Sequence, residues 1–154
     1  CIRYSRTNTT IYVWCCRHIY TVRLLCLSYI RNLRFIRIMI QEYAEYVYKV
    51  LGPGYSERVY HNAMEVILRK NGVHYETERI VPIVFEGHTI GNLRADLILN
   101  NKTVVELKSV KTMNDVMVTQ AQNYLQLTGF TEGYLINFPT SLNTDLEVRY
   151  ITLD

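Results

Sequence analysis

The stretch Thr103-Val-Val-Glu-Leu-Lys-Ser-Val110 decides the fold, because its apolar and charged residues alternate with the two-residue period of a β-strand. Val105 and Leu107 are expected to point toward an apolar core. Glu106 and Lys108 then emerge side by side on the opposite face. The alternation predicts a strand that packs on one side and presents an acid and an amine on the other.

A second carboxylate lies in the apolar segment that precedes this strand. Asp96 is followed by Leu97-Ile-Leu99, and the turn Asn100-Asn-Lys102 connects the two segments. We therefore expect Asp96 and Glu106 to converge with Lys108 on one point. Carboxylate oxygens are ligands of hard cations such as Mg²⁺, and a nearby lysine can orient or deprotonate a water that attacks a phosphodiester.

Hydrophobic periodicity places the other elements around these strands. A first helix is predicted from Ile40 to Leu51, where Gly52-Pro-Gly54 ends it, and a second from a Ser56 cap to about Lys70. The remaining predicted elements are strands over 73–85, 89–99 and 103–110, a helix over 114–127, a buried strand over 133–138 and an edge strand over 146–153. This order predicts an α/β domain.

Length and charge narrow the classes of function. With 154 residues, the chain is long enough for one domain with a substantial core. Residues 1–38 contain seven Arg and no acid, so a net charge of +3 for the whole chain leaves about −4 for residues 39–154. The main domain lacks the global basic field of a tight nucleic-acid binder, and binding to phosphates would need a local patch or metal ions.

Cysteine usage indicates the cellular compartment. All four cysteines lie within residues 1–38, so no disulfide framework holds the rest of the chain, and an intracellular location, cytoplasmic or nuclear, is expected. Their spacing does not match paired zinc ligands. The longest apolar stretch in this segment, Leu24 to Ile30, is too short to span a bilayer, and no membrane association is predicted.

The first methionine is Met39, where regular patterning begins. The Arg-rich and Cys-rich segment 1–38 has three explanations: an upstream stretch wrongly joined to the reading frame, a targeting peptide, or a membrane-surface segment. We favour the first. The expected division is therefore an atypical N-terminal segment, 1–38, that lies outside the native domain, and a working domain, 39–154.

The run Gly54-Tyr-Ser-Glu57-Arg-Val-Tyr60 resembles the motif that names the GxxExxY proteins, which are members of the PD-(D/E)XK nuclease-like superfamily. Later blocks that are similar to the same family are Arg94-Ala-Asp96-Leu, Val105-Glu-Leu-Lys108-Ser, Gln120-Ala-Gln-Asn-Tyr124-Leu, Leu127-Thr-Gly129 and Leu135-Ile-Asn-Phe138. The resemblance runs in the right order over roughly residues 40–139 and does not extend to residues 1–38.

The resemblance implies a restriction-endonuclease-like core, in which a central mixed β-sheet is flanked by α-helices. It also implies a Mg²⁺ or Mn²⁺ site built from Asp96 and Glu106, with Lys108 holding the attacking water. Glu57 corresponds to the extra acid that completes the metal shell through water. Each residue also has an ordinary structural explanation, since Glu57 suits the first turn of a helix and Glu106 and Lys108 could form a charged pair on a solvated strand face.

Gln120 and Tyr124 occupy the positions of the Gln-x-x-x-Tyr helix motif that lies beside the site in RecB-like nucleases. Their separation by four places both on one helix face, where they could equally pack as core and rim. Arg94 is expected to share the face of Asp96 and either contact a phosphate or neutralise the acids. His61 is expected at the helix surface, without a catalytic role.

The implied function is a metal-dependent nuclease that hydrolyses phosphodiester bonds of nucleic acid, with DNA favoured over RNA, and a homodimer is left open. The alternative is a catalytically inactive nuclease-like module that binds nucleic acid or a protein, which the acidic charge of the domain favours. A third alternative is an accessory subunit of a larger enzyme.

Overall fold

The computed structural model describes residues 4–7, 10–13 and 21–153, with side chains from residue 34 onward. The chain forms two compact units, Cys1–Ile40 and Gln41–Asp154. In the first unit, β1 (Tyr4–Thr7) pairs with β2 (Thr10–Val13) in an antiparallel hairpin, which the sequence did not predict. Within the described residues, no helix has the length and apolar character that a membrane span requires.

Helix α1 extends over Thr21–Leu51 and so begins well before the predicted Ile40. Residues 1–38 mix Arg, Tyr, Ile and Thr without a clean period in the sequence, so no helix was predicted before Ile40. Its end was predicted correctly. Gly52 adopts a φ of 76°, and its N–H donates to the Tyr48 carbonyl at 2.8 Å before Pro53 prevents continuation.

The other predicted elements are confirmed, and each end lies within two residues of the predicted one. They are α2 (Glu57–Lys70), β3 (Tyr75–Phe85), β4 (His88–Leu99), β5 (Thr103–Lys108), α3 (Asp115–Thr128), β6 (Glu132–Asn137) and β7 (Glu147–Thr152). Ser56 stands at the N-cap of α2, but its side chain makes no capping hydrogen bond. The Asn114 side chain does cap α3, and Gly129 ends that helix in the left-handed conformation at φ 73°.

The five strands of the second unit form one sheet in the order β3-β4-β5-β6-β7. Strands β5 and β6 are parallel, because α3 carries the chain back between them, and the other neighbours are antiparallel. This mixed sheet with its helices confirms the predicted restriction-endonuclease-like α/β class. Every residue of β6 is buried, as expected for a strand covered on both faces.

Alternation along β4 and β5 separates two apolar layers. Val105 and Leu107 are buried, as predicted from the opening stretch. The layer against α3 consists mainly of Ala95, Ile98, Val104, Ala121, Tyr124, Leu125 and Leu135. Because Glu106 and Lys108 follow Val104 at intervals of two, they continue on the side of the sheet that faces α3 and lie where that layer ends.

Candidate active site

Strands β4 and β5 stop pairing at the point where the two predicted acids lie. Their last paired residues are Leu97 and Val105. Beyond this pair, the Leu107 N–H donates to Oδ2 of Asp96 at 2.7 Å instead of to a backbone carbonyl. The Asp96 side chain therefore anchors the outgoing end of β5, and the divergence of the strands leaves space for a cavity.

The cavity has a volume of about 290 Å³. Strand β4, strand β5, helix α3 and the first residue of α2 all contribute to its wall. The lining residues are Glu57, Asn92, Leu93, Arg94, Asp96, Glu106, Lys108, Met117, Gln120, Ala121 and Tyr124. All six residues that the sequence singled out for the site, together with Arg94, thus border one space.

Glu106 is the most strongly perturbed acid of the cavity. Its side chain is only 13% exposed. Burial, and then the neighbouring negative charge of Asp96, raise its pKa to about 8, while Lys108 works in the opposite direction. The cavity therefore holds two adjoining carboxyl groups, and the positive charge of Lys108 does not offset the cost of ionising both of them.

Lys108 lies between two carboxylates. Its Nζ is 3.8 Å from Oε2 of Glu106 and 3.9 Å from Oε2 of Glu57. Burial raises the pKa of Glu57, Lys108 opposes this shift, and the charge of Asp96 adds to it. Lys108 thus lies close to Glu106 on one side and to Glu57 on the other, and its charge acts on both carboxyl groups.

The two residues of the α3 motif have different surroundings. Tyr124 is buried, its hydroxyl donates to the Arg79 carbonyl at 3.4 Å, and burial raises its pKa. Gln120 is exposed at the rim of the cavity. Tyr124 thus packs as a core residue that reaches the cavity wall, while Gln120 is open to a ligand.

His61 is not at the surface as expected. It is 5% exposed, and its Nε2 lies 3.1 Å from the carbonyl oxygen of Asp96, close enough for a hydrogen bond. Its Nδ1 is 3.1 Å from Oε1 of Glu65 but is not aligned with it as a hydrogen bond. The separation of four from Glu57 was the sequence signal that places His61 on the helix face toward the site.

Four lining residues have no part in the sequence prediction: Asn92, Leu93, Met117 and Ala121. Asn92 had a signal, since it lies two residues before Arg94 on the same strand. The others are apolar side chains whose position at a cavity follows only from packing.

The glycine and tyrosine of the Gly54-to-Tyr60 run have structural roles next to the site. Gly54 has a φ of 93°, which favours glycine, and its N–H donates to the Pro139 carbonyl at 3.1 Å. The ring of Tyr60 stacks on Phe138 at a centroid distance of 4.2 Å, and its hydroxyl donates to the Gly52 carbonyl at 2.7 Å. The contacts with Phe138 and Pro139 attach the start of α2, and with it Glu57, to the end of β6, and the hydroxyl contact holds it to the turn after α1.

The donor set suits a hard dication. Asp96 and Glu106 offer adjoining carboxylate oxygens, and their mutual repulsion, expressed in the raised pKa of Glu106, would be relieved by a positive ion. Within residues 34–153, however, no three His, Cys, Asp or Glu side chains form one metal-binding group. The predicted three-acid set of Asp96, Glu106 and Glu57 therefore stays a prediction, with Glu57 in contact with Lys108.

We expect the stability of the metal-free protein to depend on the ionisation of Glu106. Because the folded-state pKa is raised to about 8 from 4.5, the folded state binds more protons between these values, and stability falls as pH rises through this window. Glu106→Gln should remove this penalty and unfold at higher urea than wild type at pH 8.5, with a smaller advantage at pH 5. Urea unfolding followed by far-UV circular dichroism in EDTA measures the difference in stability, with Glu42→Gln on α1 as control. A gain in stability of Glu106→Gln that is the same at both pH values would contradict this prediction.

Comparisons with known proteins agree with this architecture. The family model of the PD-(D/E)XK nuclease superfamily matches residues 35–150. A solved structure titled "Crystal structure of SSO0001" is similar, with a TM-score of 0.51 and 24% sequence identity over 63% of this chain. The match spans 50% of that protein's chain, and at this identity the likeness concerns the fold. No curated protein matches the chain.

Proposed function

Because the chain belongs to the PD-(D/E)XK nuclease superfamily, we propose that it is a nuclease that uses Mg²⁺ or Mn²⁺ to hydrolyse phosphodiester bonds of nucleic acid, with DNA as the favoured substrate. The observation that carries this proposal is the cavity in which Asp96, Glu106 and Lys108 meet. The raised pKa of Glu106 adds support, because a bound cation would stabilise the ionised form of a buried pair of acids.

Asp96 and Glu106 would hold the ion directly, and Glu57 would reach it through water. When bound, the dication neutralises the two carboxylates, polarises the phosphate and lowers the pKa of water. The hydrogen bond from the Leu107 N–H fixes one oxygen of Asp96, so its other oxygen remains to face the cavity. The contact of the His61 ring with the Asp96 carbonyl would also hold the backbone of β4 at this residue.

Lys108 would position the attacking water. Its ammonium has three donors, lies between Glu57 and Glu106, and borders the cavity, so it can hold a water at the site and stabilise charge that develops on the phosphate. The guanidinium of Arg94, which also lines the cavity, is suited to a phosphate oxygen. The exposed Gln120 can hydrogen-bond the substrate at the rim.

The alternative is a nuclease-like module that binds without cleaving. It is favoured by the net charge of about −4 over residues 39–154 and by the two-carboxylate arrangement, to which Glu57 does not contribute a direct third ligand. Such a module would bind nucleic acid or a protein without saturable binding of Mn²⁺ at the acids. Calorimetric titration of the full chain with Mn²⁺ therefore separates the two candidates.

The test of the proposal is cleavage with and without Lys108. We expect the full chain to hydrolyse bis(p-nitrophenyl) phosphate and labelled oligonucleotides when Mg²⁺ or Mn²⁺ is added, and EDTA to stop the reaction. Lys108→Met should lower the rate by about 10²- to 10³-fold, the usual effect of removing a donor that stabilises developing charge. Lys102→Met, in the turn before the same strand, is the matched control. Equal rates for the two variants would refute the role of Lys108.

A further inference from the structure

Strand β4 is irregular at Asp96. Within the ladder that joins β3 and β4, both neighbours of this residue, Ala95 and Leu97, are paired, but Asp96 is not. Glu78, which stands opposite it on β3, has a φ of 52°, a value that a regular strand does not use. On the other side, β5 pairs with β4 only as far as Leu97. Asp96 therefore lies at a gap in the pairing of both neighbouring strands.

The side chains of β4 show the same irregularity. Ala95 and Ile98 both pack in the layer against α3, although an interval of three in a regular strand points two side chains to opposite faces. The backbone is therefore turned between these two residues. A carbonyl that is turned away from its ladder needs another hydrogen-bond partner where water does not reach it.

Helix α2 supplies that partner through His61. Because a carbonyl oxygen only accepts, the contact of 3.1 Å with the Asp96 carbonyl makes Nε2 of the ring the donor. The other buried residues of α2 are Tyr60, Met64 and Leu68. Burial of an imidazole costs free energy that burial of an apolar side chain does not, so the hydrogen bond to Asp96 offsets that cost.

Two further side chains restrict the imidazole. Oε1 of Glu65, one turn further along the same face of α2, is 3.1 Å from Nδ1 of His61. Oε2 of the same carboxylate accepts from the hydroxyl of Tyr75, the first residue of β3, at 3.3 Å. These contacts limit rotation of the ring, so that its Nε2 stays directed at the Asp96 carbonyl.

Asp96 is thus fixed at two points. Its carbonyl accepts from His61, and Oδ2 of its side chain accepts from the Leu107 N–H at 2.7 Å. We propose that His61 is a positioning residue of the candidate site: its hydrogen bond holds the turned backbone of Asp96, so that one carboxylate oxygen meets Leu107 and the other is presented to the metal. The part that concerns the metal rests on the proposed function.

Two substitutions of equal side-chain length test the proposal in the full chain. His61→Gln keeps an N–H donor at the reach of Nε2, whereas His61→Met has no donor and suits the apolar neighbours on α2. We expect calorimetric titration with Mn²⁺ to give a dissociation constant about 10- to 100-fold higher for His61→Met than for wild type, and within about threefold of wild type for His61→Gln. His88→Asn, at an exposed histidine at the far end of β4, is the control.

Hydrogen exchange of single amides, followed by NMR, is a second measurement that needs no metal. The Leu107 N–H donates to the Asp96 side chain, whereas Val105 belongs to the paired part of β5. In His61→Met we expect exchange of the Leu107 amide to accelerate at least about tenfold more than exchange of the Val105 amide. A substitution that only lowers the global stability would accelerate both amides alike.

Circular dichroism first establishes that the variants fold. If His61→Met does not fold, His61→Asn replaces it, because its amide reaches only the position of Nδ1. Where wild type binds Mn²⁺, equal affinities of the Gln and Met variants would overturn the proposal, and so would equal acceleration of the two amides. If wild type binds no Mn²⁺ while the Leu107 amide still responds selectively, the metal-dependent function fails and the positioning of Asp96 by His61 stands.

Discussion

Asp96→Asn is expected to lower metal-dependent cleavage of nucleic acid by at least about 10³-fold. The change removes one of the two adjoining carboxylates while it keeps a side chain of the same shape. The Lewis-acid contribution of a bound dication amounts to several kcal/mol, and each ~1.4 kcal/mol is a factor of ten in rate. The amide oxygen of Asn can still accept from the Leu107 N–H, so β5 keeps its anchor.

Far-UV circular dichroism establishes that the variant folds, and two measurements then test the effect. Steady-state rates in Mg²⁺ and in Mn²⁺ give the loss of activity, and calorimetric titration with Mn²⁺ should show the loss of saturable binding. Asp145→Asn, in the exposed loop before β7, is the matched control and should retain both. If Asp96→Asn folds and cleaves like this control, Asp96 is not part of the reaction site.

Tyr60→Ala is expected to have the largest effect on stability. The ring is fully buried and stacks on Phe138, and its hydroxyl bonds to the Gly52 carbonyl. Truncation leaves a cavity and an unpaired carbonyl, which together cost about 3 to 5 kcal/mol, whereas Tyr60→Phe keeps the stacking and costs about 1 kcal/mol. Urea unfolding followed by circular dichroism measures both free energies.

The control for this prediction is Tyr46→Ala, since that tyrosine of α1 is half exposed. It should cost less than about 1 kcal/mol. A loss for Tyr60→Ala as small as that of the control would mean that the start of α2 is held by other contacts. Because Tyr60→Phe keeps the ring, the comparison of the two variants separates the stacking on Phe138 from the hydrogen bond to the Gly52 carbonyl.

The elements of the second unit could be predicted because their signals are local. The alternation of Val105, Leu107, Glu106 and Lys108 depends only on the geometry of a strand, and the Gly52 and Gly129 stops depend on backbone conformation. The start of α1 and the hairpin of β1 and β2 had no such signal. The sequence before Met39 has no clean hydrophobic period, so it was not recognised as helical.

For the candidate site, the sequence indicated most of the polar residues that line the cavity, but only part of what packs around them. That His61 is buried against the Asp96 carbonyl was missed, although its separation of four from Glu57 places it on the helix face toward the site. The sequence also suggested that Ser56 caps α2, and the side chain does not do so. The His61 contact joins residues 35 positions apart in the chain, and no local pattern of residues contains it.

By itself, the sequence determined the order of the elements in the second unit and the chemical groups available to the site, because these follow from periodicity and from residue type. Only the tertiary structure decided where β4 and β5 stop pairing. That divergence puts Asp96 beside Glu106, raises the pKa of the latter by burial, and leaves Glu57 at the far side of Lys108. Burial and charge separation are properties of packed surfaces, and no local pattern of residues contains them.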